Sequence, residues 1–106
     1  MRPGLTEAWG LLGTAAQFAG KPEIALPAYK KATELDPGNE DYRTTYGLLL
    51  GINKQFDAGI AELKKVVSKP GYKDPDGWIN LGWVYRNAEP KKTTEAIASY
   101  KKALEL

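Results

Sequence analysis

The chain repeats itself at intervals of 34 to 35 residues, and this period limits the folds open to it more than any other feature. Gly13, Gly47 and Gly82 occupy the same place in successive intervals, and a large residue precedes each of them. Self-similarity at this spacing is typical of arrays in which one supersecondary unit stacks on the next. We therefore expect one domain over 1–106 that contains three repeats, approximately 6–39, 40–74 and 75–106.

Other recurring positions predict what each unit contains. The small residues Ala25, Gly59 and Ala96 recur in register, and a bulky residue follows each of them four positions later. Spacings of three and four residues fit the helical period, with small residues where two helices approach closely and large ones between turns. Each unit is thus predicted to be a helical hairpin, which gives an all-α chain with helices over 6–19, 22–35, 40–53, 56–68, 75–88 and 93–106.

Residues that start or interrupt helices refine this prediction. Asn39 is well placed to cap the helix that begins at Glu40, and Asp74 precedes a proline at the first helical position. Pro27 falls inside a predicted helix, where it removes a hydrogen bond and its ring clashes with the preceding turn. We expect a kink at Pro27 or a helix that starts late.

The residues at these positions carry a resemblance to a known family. Trp9-Gly10-Leu11-Leu12-Gly13 and residues 78–85 (WINLGWVY) fit the first half of the pattern W-x2-L-G-x2-Y, while Ala25 to Tyr29 and Ala96 to Tyr100 fit the A-x3-F half. The chain therefore resembles the tetratricopeptide repeat family. Unit two departs most, with Arg43 in place of the tryptophan and Gly59 in place of the alanine.

The resemblance implies an α-solenoid, a right-handed superhelix of three antiparallel hairpins whose concave face is lined mostly by the first helix of each unit. That face is where the family binds peptides or helices of partner proteins. Carried over to this sequence, the peptide-binding residues are Thr14, Phe18, Thr44, Thr45, Leu48, Ile52, Ile79, Asn80, Trp83, Arg86 and Asn87. Further concave positions are Glu7, Gly10, Leu11, Gln17, Asp41, Gly51 and Asp76.

The predicted face has an apolar floor and small polar edges, which suits a mixed apolar and polar peptide. Trp83 is expected either to contact a ligand or to pack against a neighbouring unit. The family's co-chaperones grip acidic tails with lysine, asparagine and arginine, but only Asn80 fits that clamp here and Asp76 would repel a carboxylate. Glu7, Asp41 and Asp76 recur near helix starts, where they favour the helix dipole and could also attract a basic ligand.

Composition argues against other classes of function. The chain has no cysteine and no histidine, so the commonest general base, metal ligand and strong nucleophile are missing together. We expect no enzyme activity, no catalytic residue, no metal and no cofactor. A net charge of +2 argues against a nucleic-acid partner. The sequence has no long apolar run and no leader, so we expect no membrane partner and a cytoplasmic protein.

Two alternatives to peptide capture stay open. The chain ends within a motif, and no polar capping helix follows it, so we expect Ile97, Tyr100 or Leu104 to be partly exposed. The chain is then expected to be a fragment of a longer array or to form a homodimer through this end. The less favoured alternative is RNA binding, as in the related pentatricopeptide repeats. A recurring pair of lysines could favour RNA binding: Lys30-Lys31, Lys64-Lys65 and Lys101-Lys102. We expect instead that these lysines lie on a solvated convex face.

Overall fold

The computed structural model describes residues 3–106, and it is built from six α-helices. The prediction about a leader rests partly on residues 1 and 2, which lie outside the described residues. Among those described, no helix combines the length and the apolar character that crossing a bilayer requires. The helices are α1 (Pro3–Phe18), α2 (Pro22–Leu35), α3 (Glu40–Ile52), α4 (Phe56–Val67), α5 (Pro75–Asn87) and α6 (Thr93–Glu105).

The helices pair in chain order, which confirms the predicted all-α architecture of three hairpins. Contacts are most extensive within α1–α2, α3–α4 and α5–α6, and each second helix then packs against the first helix of the next unit. The helices α3 and α5 also touch, so the first helices form one continuous layer in this part of the chain. The predicted bounds are close to those observed, except that α1 starts three residues earlier than expected.

The helix starts follow the predicted capping. The Asn39 side-chain oxygen accepts a hydrogen bond from the Tyr42 N–H at 3.1 Å, and the Asp74 carboxylate accepts one from the Asp76 N–H at 2.9 Å. Each satisfies a backbone donor that the first turn of a helix leaves free. These caps fix where α3 and α5 begin, and therefore which of their residues share a face.

Pro27 does not delay the start of α2, so the expected late start is wrong, while the alternative of a kink stays a prediction. The helix begins at Pro22, and the Ala25 N–H donates to the Lys21 carbonyl at 3.0 Å in the first turn. Pro27 is exposed, as is Glu23, whose carbonyl Pro27 cannot bond, while Ala25 and Ala28 on either side of Pro27 are buried. Packing of this buried face outweighs the lost bond.

Two clusters of buried side chains hold the units together. One joins units one and two through Ala16, Ala25, Tyr29 and Leu49. The other joins units two and three and contains Ile60, Leu63, Leu81, Val84, Tyr85 and Ala96, with the partly buried Trp78 packed against it. Trp78 therefore contributes to the packing between units two and three. The result is a layered solenoid in which the apolar stripes of units one and two are covered by the next unit.

Candidate functional site

Two adjoining clefts run along the first helices, and together we name them the inner groove. The first, between α1 and α3, has a volume of about 360 Å³, and the second, between α3 and α5, about 260 Å³. Asp41 and Thr45 line both. The first cleft is also lined by Glu7, Gly10, Leu11, Thr14, Tyr29 and Tyr42. The second is also lined by Glu40, Thr44, Tyr72, Asp74, Asp76 and Asn80.

Helical spacing explains why these side chains meet. Residues four apart lie one above the other on a helix, so Asp41 and Thr45 form one stripe of α3. Asp76 and Asn80 form the corresponding stripe of α5 in the second cleft. The inner groove therefore has carboxylates near the helix starts and threonine or asparagine one turn later.

The inner groove is strongly acidic. Glu7, Glu40, Asp41, Asp74 and Asp76 line it, and no lysine or arginine of the described part of the chain lines either cleft. The repeat pattern places Glu7, Asp41 and Asp76 near this edge but does not place Glu40 and Asp74 there. The sequence marks both as residues at helix starts, since Glu40 opens α3 and Asp74 caps α5, but a helix start alone does not state that a side chain faces the groove.

Tyr72 forms the wall of the second cleft. Its hydroxyl accepts a hydrogen bond from the Gly77 N–H at 2.9 Å. Burial raises the pKa of Tyr72 above its usual value of 10.0, and the carboxylates of Asp74, Glu40 and Asp76 raise it further, while the bond from Gly77 acts in the opposite direction. The phenol is thus held neutral beside several negative charges.

Thr14, in the first cleft, is engaged by its own unit. Its hydroxyl donates to the Gly10 carbonyl at 3.0 Å and lies 2.5 Å from the Tyr29 hydroxyl. Because the threonine has only one proton to give, Tyr29 donates to Thr14 when Thr14 donates to Gly10. A ligand at this point would find an acceptor more readily than a donor.

The structure brings together only part of the predicted site. Thr14, Thr44, Thr45 and Asn80 line the inner groove. Ile52 lies in a separate small cleft with Gln17 and Lys21, between the α1–α2 turn and the end of α3. The remaining predicted residues lie outside these clefts: Phe18, Ile79 and Arg86 are exposed, and Leu48, Trp83 and Asn87 are half-buried.

Trp83 takes part in packing, while part of its surface stays accessible. It is half-buried and packs against the cluster that contains Leu63 and Val84. The Asn87 amide donates to the Trp83 carbonyl at 2.8 Å, one turn along α5. Packing of Trp83 is therefore observed, and contact between its accessible part and a ligand stays a prediction. Gly51 is also buried, with Val84 against it, so it belongs to packing between units rather than to the groove.

The acidic groove is not arranged as a metal site. Within residues 3–106, no three carboxylates are grouped so that they could hold a metal ion. The inner groove instead presents carboxylates, hydroxyls and one amide along one open surface. Such a surface can form ion pairs and hydrogen bonds with an extended segment or a helix.

Comparison with known protein families matches two segments, residues 6–39 and 75–106, to the tetratricopeptide repeat. These segments cover more than half of the chain and contain units one and three. The chain belongs to the tetratricopeptide repeat family. No curated protein matches the sequence. Tetratricopeptide repeats are a non-catalytic repeat module that generally mediates protein–protein interaction.

Proposed function

We propose that this tetratricopeptide repeat chain binds a peptide or helix of a partner protein in its inner groove and serves as an adaptor or scaffold. The acidic, open lining of the two adjoining clefts is the observation that supports it most. The family's general role in protein–protein interaction supports it as well. The partner-contacting residues of this proposal are Asp41, Thr44, Thr45, Asp76 and Asn80.

The charge of the groove defines the partner's chemistry. Five carboxylates line the clefts, so a segment with lysine or arginine side chains is favoured and an acidic tail is repelled. Exposed apolar side chains on the first helices, among them Phe18, Ile52 and Ile79, support apolar residues elsewhere in the same segment. The proposed ligand is therefore a basic segment that also carries apolar side chains.

The test is selection of binding peptides from a random display library, followed by affinity measurement with labelled synthetic copies. Asp41→Lys is the test variant and Asp57→Lys is the matched control, because both carboxylates are exposed in the first turn of a helix, α3 and α4 respectively. Both variants lose the same favourable charge near a helix start. We expect basic peptides whose affinity falls about tenfold with Asp41→Lys and is unchanged with Asp57→Lys.

Salt provides a second measure of the same contact. Binding through these charges should weaken as ionic strength rises from about 0.05 to about 0.5 M. Selected peptides that are neutral or acidic, or that bind Asp41→Lys as well as the parent chain, would show that the inner groove is not the site.

A second candidate function, self-association, is favoured by the exposed face of α6. Leu104 is 87% exposed and Ile97 is 51% exposed, as expected from the repeat pattern, and they occupy a helix that would meet the first helix of another unit. On α1, Leu5 and Leu12 are exposed too. Light scattering and sedimentation at rising protein concentration test this candidate. We expect dimers that Leu104→Lys abolishes and Leu11→Lys leaves intact, whereas a strict monomer at high concentration rules it out.

A further inference from the structure

A cleft on the opposite side of the solenoid is larger than either part of the inner groove. It lies between α4 and α6, has α5 as its floor, and has a volume of about 700 Å³; we name it the outer groove. The floor is formed by Trp78, Leu81 and Tyr85, and its lining is mostly apolar. Ala61 and Ala98, at corresponding positions of α4 and α6, form walls that are low because their side chains are small.

The corresponding place one unit earlier is filled differently. Arg43 stands on α3 where Trp78 stands on α5, and Glu62 stands on α4 where Ser99 stands on α6. The Arg43 guanidinium lies 2.7 Å from the Glu62 carboxylate, and both side chains are mostly buried. An ion pair thus occupies the first junction, whereas the second junction leaves an apolar surface.

The rim of the outer groove is basic. Lys64, Lys65 and Lys102 line it with a single carboxylate, Glu95. Lys65 and Lys102 each approach a carboxylate of their own helix at 3.6 Å, and both lysine side chains are more than half exposed, so water screens these contacts. These ammonium groups can therefore turn to a ligand at small cost. An apolar floor between cationic edges is complementary to an apolar stripe between acidic edges.

We propose that the outer groove binds an amphipathic helix of a partner protein whose apolar stripe is flanked by glutamate or aspartate. Trp78 and Tyr85 are seven residues apart on α5, so the floor is about 10 Å long and matches two turns of such a helix. The small side chains of Ala61 and Ala98 leave room for the backbone of a bound helix to come close. Inside each unit, a large side chain already packs in the same way against a glycine of the neighbouring helix. This site is separate from the inner groove and does not depend on the proposed function.

Three synthetic peptides of about 18 residues test the proposal, since shorter helices are marginal in water. One presents leucines at spacings of three and four between glutamates, the second has lysines in place of the glutamates, and the third is a scrambled form of the first. Each is titrated into the isotope-labelled chain and followed by amide NMR. We expect the glutamate peptide to move signals within 61–68, 78–85 and 95–102, and to bind about fivefold or more tightly than the lysine peptide at low salt.

Two variants carry the same substitution inside and outside the groove. Ala98→Glu adds a carboxylate to the wall, and Ala58→Glu adds one to an exposed position of α4 outside the groove. We expect Ala98→Glu to weaken binding of the glutamate peptide about tenfold and Ala58→Glu to leave it unchanged. Circular dichroism verifies that all variants are equally helical.

Several results would overturn the proposal. Equal binding of the scrambled peptide, or signals that move only along α1 and the Ile97 face of α6, would mean non-specific binding or self-association. Binding to anionic phospholipid vesicles with no saturable binding of either helical peptide would identify a membrane surface instead. Insensitivity to Ala98→Glu would place the peptide elsewhere.

Discussion

Arg43 and Glu62 form an ion pair in unit two, at the two positions where unit three has Trp78 and Ser99. The Arg43 Nη1 lies 2.7 Å from the Glu62 Oε2, with the two side chains 15% and 19% exposed, and the guanidinium also donates to the Pro37 carbonyl at 3.5 Å. An ion pair thus connects α3 to α4 in unit two. At the corresponding place in unit three, Trp78 packs against apolar side chains. The pair lies in the segment between the two that match the family.

The first prediction concerns the strength of this pair. Arg43→Ala and Glu62→Ala should each lower the free energy of unfolding by about 1–3 kcal/mol, because each removes the closest partner of a mostly buried charge. The double variant should lose less than the sum, with a coupling of about 1 kcal/mol or more. Urea unfolding of the four chains measures this.

The control for that cycle is the pair of Lys102 and Glu105. These side chains are 3.6 Å apart and more than half exposed. Their cycle should give a coupling of no more than about 0.5 kcal/mol. Equal couplings for the two pairs would mean that burial of Arg43 and Glu62 adds nothing to their interaction.

The fold could be predicted because its determinants are local or periodic. The glycine register at Gly13, Gly47 and Gly82 sets the three hairpins, and Asn39 and Asp74 mark helix starts through contacts with residues two or three positions away. Each of these signals is contained in a short stretch of sequence. The observed helices therefore agree with the predicted ones.

The candidate site could be predicted only in outline, since its character depends on contacts between helices. Arg43 meets Glu62 across 19 positions, and Trp83 packs against a cluster that contains residues of two units. Helical periodicity places such residues on a face but does not state what lies opposite. Contacts between helices place Glu40 in the acidic lining of the inner groove, and they also form the outer groove, which has Leu81 in its floor.

The second prediction concerns the glycine of unit two that departs from the repeat pattern. A Cβ at Gly59 would lie 2.7 Å from the Gly47 carbonyl oxygen and 3.1 Å from the Gly51 nitrogen, so α3 and α4 meet backbone to backbone. Gly59→Ala should therefore destabilise the chain by about 1–3 kcal/mol, although alanine is the better helix former and fits the pattern.

Gly4→Ala is the matched control for Gly59→Ala. Gly4 is also helical, but apart from the neighbouring backbone of its own helix nothing lies within 4 Å of the position of its Cβ. We expect stability to stay the same or to rise by up to about 1 kcal/mol. Thermal and urea unfolding compare the two variants, and an equally neutral Gly59→Ala would contradict the close-contact explanation.

The third prediction concerns the turn that ends α3. Lys54 has a φ of 67°, which lies in the left-handed region. Gly20 is the corresponding residue in the turn after α1, and its φ is 69°. Glycine adopts this conformation without the steric cost of a side chain. Lys54→Gly should raise the free energy of unfolding by about 0.5–1 kcal/mol, and Gly20→Ala should lower it by a similar amount. Lys54→Ala, which removes the side chain but keeps the Cβ, should bring no gain in the same urea titrations.

The fourth prediction concerns stability at high pH. The pKa of Tyr72 is raised in the folded chain, so the folded state keeps a proton that the unfolded state loses near pH 10.0. Stability from this residue is fully present below that pH and is lost as the pH rises toward the folded pKa. Burial, followed by the charges of Glu62 and Glu34, raises the pKa of Tyr46 in the same direction.

Urea unfolding from about pH 8 to about pH 11 measures this loss. Tyr72→Phe should cost about 1 kcal/mol at neutral pH, since the Gly77 N–H loses its acceptor. The variant should also show a shallower alkaline decline, because one of the two protons retained by the folded state is gone. Adding Tyr46→Phe should flatten the decline further. A Tyr72→Phe chain that declines as steeply as the parent would show that Tyr72 does not stay protonated in the folded state.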